Sequence, residues 1–327
     1  MDIGILALGS SIGDLEVPNE AVAPAAGVTP EWIVRKTGIH TRRYAAPATP
    51  TSSLAADAVE DLVHDYPDAL AGVGAVVVAT STGDQPQPAT AAKVADRLGL
   101  PPVAAFDVNA VCCGFMYALA IGAALAKETW TGPKVLVIAA DKYSQLLDVT
   151  DRSTAPIFGD GAGAAVVGPV RDGCGLRALR LRCRGEFYDA VGVRGGGSRQ
   201  PLDPAALVEG AQYFRMRGRV VADYVLEHFP RLIDAVLDDA GLKRVDIDRY
   251  VFHQANPNML RQLADGLGID RERVPLTGPF YGNLGAASLP VTLHWTHKQR
   301  PLARGQRVFL GAIGGGLTDG GCVYIVD

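Results

Sequence analysis

Short apolar runs rich in β-branched residues alternate along the first half of the chain with longer stretches that carry helical spacing. The runs predict strands at 75–79, 104–108, 135–139 and 163–167. Sequences such as Val-Val-Val-Ala are continuous rather than alternating, which is typical of strands covered on both faces. The pattern therefore predicts an α/β protein with helices on both sides of a sheet.

Between and after these strands, an apolar position every three or four residues predicts helices. In the first half they fall at 52–64, 90–98 and 114–127, and a short helix that carries Trp32 begins at Thr29-Pro30-Glu31. In the second half we predict helices at 220–240, 258–267 and 286–297, with strands at 250–252, 308–312 and 322–326. The second half thus repeats the alternation of the first.

The segment 184–212 has few apolar runs and contains Gly195-Gly196-Gly197-Ser198, which is typical of a long connection. We therefore predict an N-terminal α/β half at 1–183, a connecting region at 184–212 and a C-terminal half at 213–327. The candidate nucleophile lies in the first half, and the other polar candidates lie in the second.

Composition excludes several classes of protein. With 327 residues, 48% hydrophobic content and a net charge of -4, the chain has enough apolar surface for a large core and no basic excess for nucleic acid or an anionic membrane. The run 112–126 is shorter than the ~20 residues of a membrane helix, so we expect a buried helix there. No signal peptide is visible, and five cysteines without C-x-x-C spacing favour reduced thiols in the cytoplasm and no metal site.

The strongest candidate for chemistry is a thiol where a strand turns into a long helix, in Asp107-Val108-Asn109-Ala110-Val111-Cys112-Cys113-Gly114. Unpaired amides and the positive dipole end of a helix favour thiolate over thiol. The alternative is that a free cysteine is a small buried hydrophobe. Position leaves open which member of the pair Cys112 and Cys113 faces a cleft and which one packs.

Two further polar elements occur in the second half. His253 and Asn256 follow a strand end and precede Pro257, so the imidazole can donate or relay a proton, while Asn256 fits a helix cap. Asn283 lies among small residues in Tyr281-Gly282-Asn283-Leu284-Gly285, where it can be a hydrogen-bond donor or a turn residue. The glycines at 314–316 offer free amides for an oxyanion or make a simple strand connection.

Taken in order, Trp32-Ile33-Val34, Cys112, Gly159-Asp160-Gly161-Ala162-Gly163, His253-Gln254-Ala255-Asn256, Gly282-Asn283 and Gly314-Gly315-Gly316 resemble the β-ketoacyl-acyl carrier protein synthase III family over nearly the whole chain. Thr37-Gly38-Ile39 and Thr150-Asp151-Arg152 add to the resemblance. It implies a thiolase fold, that is, five αβαβα layers built from two similar halves, and a homodimer.

The resemblance also implies a reaction. An acyl group moves from coenzyme A to Cys112, and a decarboxylating malonyl thioester held by His253 and Asn283 then attacks it. The amides of Cys112 and Gly315 stabilise the tetrahedral intermediate. Coenzyme A, which is a substrate and not a bound cofactor, contacts Trp32, Lys36, Arg152 and Asn256, and the implied partners are acyl-CoA and an acyl carrier protein.

Four positions depart from the family pattern. Cys113 stands beside the nucleophile where a small residue is usual, and Gln87 stands where a phenylalanine of the partner subunit commonly enters the acyl pocket, so both are candidate pocket residues. In the helix at 258–266, Asp265 and Gly266 replace the basic residues that dock a carrier protein. These departures favour a specialised polyketide or natural-product enzyme over fatty-acid initiation.

Other functions are compatible with the same residues. A transferase of the same fold passes the acyl group to a hydroxyl, an amine or another carrier without decarboxylation, using His253 as a base. A non-catalytic subunit of a ketosynthase heterodimer is a second alternative, and a Cys-His-Asn hydrolase is a third. Consumption of malonyl-CoA with release of carbon dioxide separates condensation from the others.

Overall fold

The computed structural model describes residues 2–327. Its strands are β1 Asp2–Ile12, β2 Leu15–Pro18, β3 Thr41–Tyr44, β4 Val73–Ala79, β5 Ala104–Val108, β6 Lys134–Lys142, β7 Asp160–Val170, β8 Gly175–Cys183, β9 Val191–Val193, β10 Phe214–Met216, β11 Arg249–Phe252, β12 Arg307–Gly314 and β13 Thr318–Ile325. Its helices are α1 Asn19–Val22, α2 Pro30–Thr37, α3 Thr51–Asp65, α4 Thr90–Arg97, α5 Gly114–Glu128, α6 Pro204–Val208, α7 Gly218–Ala240, α8 Pro257–Leu267, α9 Gly278–Tyr281 and α10 Ser288–Gln299.

Two mixed sheets form the frame of the molecule. The first has five strands in the order β1-β7-β6-β4-β5, and the second has four in the order β11-β12-β13-β8. In the first sheet β4 runs parallel to β5 and β6, while β7 is antiparallel to β6 and β1. The Val-Val-Val run of β4 is fully buried, as expected for a strand that has helices on both faces.

The helices complete five layers. Helices α3 and α4 pack on the outer face of the first sheet, and α7 and α8 pack on the outer face of the second. Helices α5 and α10 lie between the sheets, because one core cluster joins Phe115 and Leu289 to Val77 of the first sheet and Val308 of the second. The predicted order αβαβα is the one that the structure has.

The central helix α5 approaches the first sheet closely. A Cβ at Gly122 would lie 2.5 Å from Cγ2 of Val137 in β6, so only glycine fits there. The helical segment Val111–Glu128, of 18 residues and mean hydropathy 1.4, is long and apolar enough by length and composition to cross a membrane, contrary to our estimate from the shorter run. Its place between the sheets is that of the predicted buried helix.

The boundary between the two sheets differs from the predicted one. Strand β8 pairs antiparallel with β13, so Gly175–Cys183 belongs to the second sheet, although residues up to 183 were assigned to the first half. The chain leaves the first sheet at Val170, the last residue of β7. Alternating Arg and Leu residues in β8 hide this strand from a search for continuous apolar runs.

The predicted connection at 184–212 contains regular structure. A 3₁₀ turn at Gly185–Ala190 leads into β9, which pairs with β10, and α6 follows in between. Helix α6 begins with an Asp203 cap that accepts the amide of Ala206 at 2.8 Å. These elements are too short for apolar periodicity to reveal them.

Candidate active site

The candidate nucleophile lies where the first sheet meets the central helix. Strand β5 ends at Val108, Asn109 Oδ1 accepts the amide of Val111 at 3.2 Å, and a 3₁₀ turn at Val111–Cys113 leads directly into α5. Val111 has φ +48°, a conformation that a β-branched residue rarely adopts. The strained turn holds Cys112 just before the first residue of α5, where Cys112 is 7% exposed.

A second turn, Gly285–Ala287, packs against the cysteine turn and is called the Gly285 turn below. A Cβ on Gly114 would lie 3.3 Å from Cβ of Ala286, so the absence of a side chain at Gly114 lets the two turns meet. The amide of Ala286 donates to Oδ2 of the buried Asp141 at 2.8 Å. The Gly285 turn is thus tied to β6 beside Cys112.

Asn283 is fixed just before this turn. Its backbone amide donates to the carbonyl of Ile157 at 2.9 Å, and its carbonyl accepts the amide of Gly159 at 2.9 Å. Its side-chain Oδ1 accepts the amide of Gly285 at 2.9 Å. Because the oxygen is occupied, the amide nitrogen Nδ2 is the group left to donate to a ligand.

His253 follows β11 and is held by a backbone bond from its amide to the carbonyl of Gly311 at 2.9 Å. Its ring is 5% exposed, and within residues 2–327 its Nδ1 has no hydrogen-bond partner. Burial lowers the pKa of His253 to about 4, against an opposing contact with the Gly285 backbone. The ring is therefore neutral at pH 7 and suits a hydrogen-bond donor better than a strong base.

The thiol of Cys112 differs from the expectation that its helix end favours thiolate. Burial, followed by the negative charge of Asp141, raises the pKa of Cys112 to about 12, while a hydrogen bond from Tyr143 acts in the opposite direction. Removal of solvent from around the sulfur disfavours the charged thiolate. The resting nucleophile is a neutral thiol that must give up a proton to react.

The two adjacent cysteines have different surroundings. Sγ of Cys113 lies 3.6 Å from the carbonyl oxygen of Ala312 and belongs to the core cluster between the sheets. Burial raises the pKa of the Cys113 thiol well above its usual value. Of the roles considered for Cys113, these surroundings support core packing, because its thiol belongs to the core between the two sheets.

The glycines at 314–316 run alongside the cysteine turn. A Cβ on Gly314 would lie 3.0 Å from the amide nitrogen of Cys112 and 2.6 Å from that of Cys113. Gly315 follows, and a Cβ there would lie 3.3 Å from Cγ2 of Val111. The predicted oxyanion hole, in which the amides of Cys112 and Gly315 both donate to one oxygen, is compatible with this close approach. Any side chain at Gly314 would block the approach.

Beside Cys112 lies a group of aromatic rings that the sequence analysis missed. Tyr143 stacks on Phe158 with centroids 4.6 Å apart, and Phe214 packs edge-on against both at 5.3 and 5.0 Å. These three rings and Leu147 form the buried aromatic cluster. Phe214 lies far along the chain from Tyr143 and Phe158, so only the fold assembles the group; a tyrosine just after a buried strand was the available signal.

The residues predicted to bind coenzyme A lie at the ends of two helices that meet. Asn256 caps α8 by accepting the amide of Met259 at 3.1 Å, as its position before Pro257 predicts. Its Nδ2 also donates to the carbonyl of Lys36 at the end of α2. Trp32 on α2 is half-buried and the Lys36 side chain is exposed.

Arg152 lies on a loop that contacts the fully buried Arg42 through Pro156. Arg42 also contacts Asn19, which bonds to Ile39 just after α2. The guanidinium of Arg42 donates to the carbonyl of Pro156 at 2.8 Å and to Asn19 Oδ1 at 2.6 Å, while Asn19 donates to the carbonyl of Ile39 at 2.9 Å. The Arg152 side chain is exposed and makes no ion pair in the described part of the chain. It is free for a charged ligand.

The remaining predicted pocket residue stands apart from these groups. Gln87 is exposed in a loop after β4, where its carbonyl accepts Nε2 of Gln85 at 2.9 Å. Within a single chain, nothing brings it to Cys112. Its assignment to the acyl pocket requires a second subunit, as the resemblance implies.

Helix α8 presents little positive charge. Its one basic side chain, Arg261, donates to Oδ1 of Asn258 at 2.8 Å, and Asp265 forms an ion pair with Arg271 at 2.5 Å. Arg215 of the basic cluster at 215–219 is neutralised by Asp148 and Asp151. Arg217 and Arg219 are exposed and make no ion pair among residues 2–327.

Two protein-family models and many known relatives match this chain. The family model described as 3-oxoacyl-[acyl-carrier-protein (ACP)] synthase III matches residues 106–185, and the model of its C-terminal part matches residues 237–325. An acetoacetyl CoA synthase, NphT7, from Streptomyces sp. (strain CL190) is 42% identical over 316 residues, which are 96% of this chain and 95% of the relative.

Solved structures agree along the whole chain. A β-ketoacyl-[acyl carrier protein] synthase III from Thermus thermophilus has a TM-score of 0.92 at 37% identity, with 99% of each chain covered. The priming β-ketosynthase of the R1128 polyketide biosynthetic pathway has a TM-score of 0.90 at 27% identity, over 99% of this chain and 96% of the other.

Proposed function

The chain belongs to the 3-oxoacyl-[acyl-carrier-protein] synthase III family, and from that premise we propose that Cys112 carries the acyl group while His253 and Asn283 hold the malonyl thioester. The family and the thiolase fold predicted from the sequence are confirmed. The enzyme is an acyltransferase that loads an acyl group on a cysteine and condenses it with a malonyl thioester as carbon dioxide leaves.

The observation that carries the site assignment is the Gly285 turn. It packs on the turn of Cys112, donates the amide of Gly285 to Asn283 Oδ1 and contacts the ring of His253 through its backbone. These contacts of one turn with all three residues support their assignment to a shared site. No carboxylate pairs with His253 among residues 2–327, so the ring acts as a neutral donor.

This donor set fits decarboxylation. Loss of carbon dioxide from a malonyl thioester leaves an enolate, whose oxygen needs two hydrogen-bond donors in a site without water. His253 and Nδ2 of Asn283 supply them without a change of charge. Transfer to a hydroxyl or amine would instead require a base, and a histidine whose pKa is lowered to about 4 is a poor one.

The aromatic cluster sets the proposed starter class. Tyr143, Phe158 and Phe214 are each at most 3% exposed, and they form one buried cluster beside Cys112. An acyl chain that extends beyond its first carbons would have to displace one of these rings. We therefore assign an acetyl-sized starter, delivered as a coenzyme A thioester.

The proposed acceptor is also a coenzyme A thioester, namely malonyl-CoA. In the family that the chain resembles, this face of α8 docks an acidic carrier protein. Here the face offers only one basic side chain, Arg261, which is already bonded to Asn258. The exposed cations Lys36, Arg152 and Arg219 suit the phosphates of coenzyme A. A relative named acetoacetyl CoA synthase supports the same choice. Because the product remains on coenzyme A, we place the enzyme in a specialised pathway that consumes a 3-oxoacyl-CoA.

We further propose a cytoplasmic homodimer built through the free edge of the first sheet. Strand β5 ends that sheet, and its Ala104–Val108 segment is only partly buried although it is mostly apolar. An unpaired apolar edge favours pairing with a second strand. All five cysteines are unpaired thiols, which fits a reducing compartment. Light scattering should give twice the 34.3 kDa chain mass.

Intact-protein mass spectrometry after incubation with acetyl-CoA tests the nucleophile. The wild type and Cys113→Ala should gain one acetyl group, and Cys112→Ala should gain none. The matched pair separates the two adjacent thiols under identical conditions. Equal labelling of Cys112→Ala would refute the assignment.

A further inference from the structure

One guanidinium joins two segments of the chain that carry exposed arginines. Arg215 lies on β10, where its Nη2 donates to Oδ2 of Asp148 at 2.7 Å and its Nη1 donates to Oδ2 of Asp151 at 3.0 Å. Both carboxylates belong to the loop between β6 and β7 that also carries Arg152. The two ion pairs therefore fasten this loop, named the Arg152 loop (residues 147–157), to β10.

The same two carboxylates shape the Arg152 loop from within. Oδ1 of Asp148 accepts the amide of Thr150 at 3.0 Å, and Oδ1 of Asp151 accepts the amide of Ser153 at 2.8 Å. Each carboxylate thus holds a local turn with one oxygen and Arg215 with the other. The direction in which the loop presents its exposed side chains therefore depends on these turns.

The segment that follows Arg215 carries further exposed cations. Arg217 and Arg219 come two and four residues later, at the start of α7, and neither forms an ion pair in the described part of the chain. Arg152 is exposed and equally unpaired within residues 2–327. Arg215 is thus occupied by the protein itself, whereas the arginines on the two segments that it joins are available to a ligand.

All three groups of this contact are charged at pH 7. Hydrogen bonds from Thr150 and from Arg215 lower the pKa of Asp148. Burial opposes ionisation of Asp151, but hydrogen bonds from Ser153 and Arg215 hold its pKa below the usual value. The hydrogen bond to Asp148 in turn raises the pKa of Arg215. A guanidinium that is paired with two carboxylates offers little net charge to a phosphate, so Arg215 is poorly suited to bind one directly.

Apolar contacts hold the same two segments together on their buried side. Leu147, next in sequence to Asp148, and Phe214, next to Arg215, both belong to the buried aromatic cluster. The side chain of Arg215 is 40% exposed, and exposed ion pairs contribute little to overall stability. We therefore expect loss of Arg215 to loosen the outer part of the Arg152 loop while the cluster keeps the chain folded.

We propose that Arg215 is a positioning residue that holds Arg152 and Arg219 in place for the phosphates of coenzyme A. The inference rests on the proposed function of these two arginines, and it adds a residue that does not touch the ligand. Arg215 acts through the Arg152 loop on one side and through the start of α7 on the other. Because both cations are held before coenzyme A arrives, less order has to be created on binding.

The test compares two acetyl donors in single-turnover acylation of Cys112, followed by intact mass. Acetyl-CoA carries the phosphates, whereas S-acetyl-N-acetylcysteamine has a thioester of the same kind without them. Arg215→Met should lower the ratio of the second-order rate constants, acetyl-CoA over the short donor, by about 10-fold, as expected for one lost charge-assisted hydrogen bond. The loss should appear in the half-saturating concentration of acetyl-CoA and not in the maximal rate. An unchanged ratio, or an equal loss with both donors, overturns the proposal.

The double variant Asp148→Asn/Asp151→Asn separates positioning from direct binding of a phosphate by Arg215. Each asparagine keeps an oxygen for its turn but has lost the charge that pairs with the guanidinium. By charge alone, removal of two carboxylates and release of Arg215 would strengthen binding of acetyl-CoA. Positioning predicts the opposite, namely a loss equal to that of Arg215→Met and no further loss when all three changes are combined. Stronger binding in the double variant contradicts the proposal.

Arg180→Met is the matched control. Arg180 is 42% exposed and donates to Asp239 through two nitrogens at 2.5 and 2.7 Å, so its loss removes the same charge and a similar contact from another part of the surface. It should keep the wild-type ratio, and a loss equal to that of Arg215→Met would overturn the positioning role.

Arg152→Ala and Arg219→Ala test the proposed phosphate contacts on their own. Each should lower the ratio of the two rate constants. If both keep the wild-type ratio, the phosphate assignment fails and the positioning role fails with it. If both lose acetyl-CoA selectivity while Arg215→Met keeps it, the proposed function stands and only the role of Arg215 is refuted.

Discussion

Phe214→Ala should change which starter the enzyme accepts. Phe214 is 3% exposed and belongs to the buried aromatic cluster beside Cys112. A butyryl group carries two more methylenes than acetyl. At about 0.8 kcal/mol for each buried methylene, the enlarged site should favour butyryl over acetyl by about 1.6 kcal/mol more than the wild-type site does. This difference corresponds to roughly a 15-fold increase in the ratio of butyryl to acetyl transfer.

The assay is competition between acetyl-CoA and butyryl-CoA in a single turnover, read as the mass of the acylated protein. Loss of a buried phenyl ring also costs about 3–5 kcal/mol of stability. Phe229→Ala is the matched control, because Phe229 is equally buried but packs on the outer face of the second sheet. An unchanged acyl ratio in Phe214→Ala, or an equal change in Phe229→Ala, would refute the assignment of the pocket.

Three further predictions concern other parts of the account. Asn283→Ala should lower kcat for condensation by about 10²–10³-fold while acetylation of Cys112, measured by mass, stays at the wild-type rate; a matching loss of acetylation would contradict the assigned role. Burial lowers the pKa of His253 to about 4 from 6.5, so the stability that the neutral ring contributes is complete above pH 6.5 and is lost as the pH falls toward 4. Urea denaturation should show that the free energy of unfolding falls by about 3 kcal/mol less in His253→Gln than in the wild type across that pH range. If the free energy of unfolding changes with pH in parallel for the two proteins, the ring is not held neutral. Replacing Asp265 and Gly266 together by lysine should raise kcat/KM for malonyl carrier protein several-fold and leave that for malonyl-CoA unchanged, and no gain would mean that α8 does not limit docking.

Elements whose own residues carry a clear apolar run or a helix cap were predictable from the sequence. Strand β5 was placed at the residues where it is observed, and the caps Thr29 and Asn256 marked the starts of α2 and α8. Strand β8 was missed because exposed arginines alternate with its leucines, and it joins the second sheet only through β13. A pattern reports local burial, but it does not report which sheet a strand enters.

The candidate site shows the same division. Cys112, His253 and Asn283 each follow a strand end or a glycine turn, which is a local signal. The buried aromatic cluster carried no such signal, because only the fold brings Phe214 to Tyr143 and Phe158. The raised pKa of Cys112 was also beyond a sequence argument, since it depends on how completely the fold removes water from the sulfur.

The most direct test of the central claim is the discharge of the isolated acetyl-enzyme by malonyl-CoA labelled with ¹³C in its free carboxylate. The account predicts that the acetyl mass disappears from Cys112 as labelled carbon dioxide and acetoacetyl-CoA form in equal amounts. Discharge onto a hydroxyl or amine, without release of labelled carbon dioxide, would contradict it.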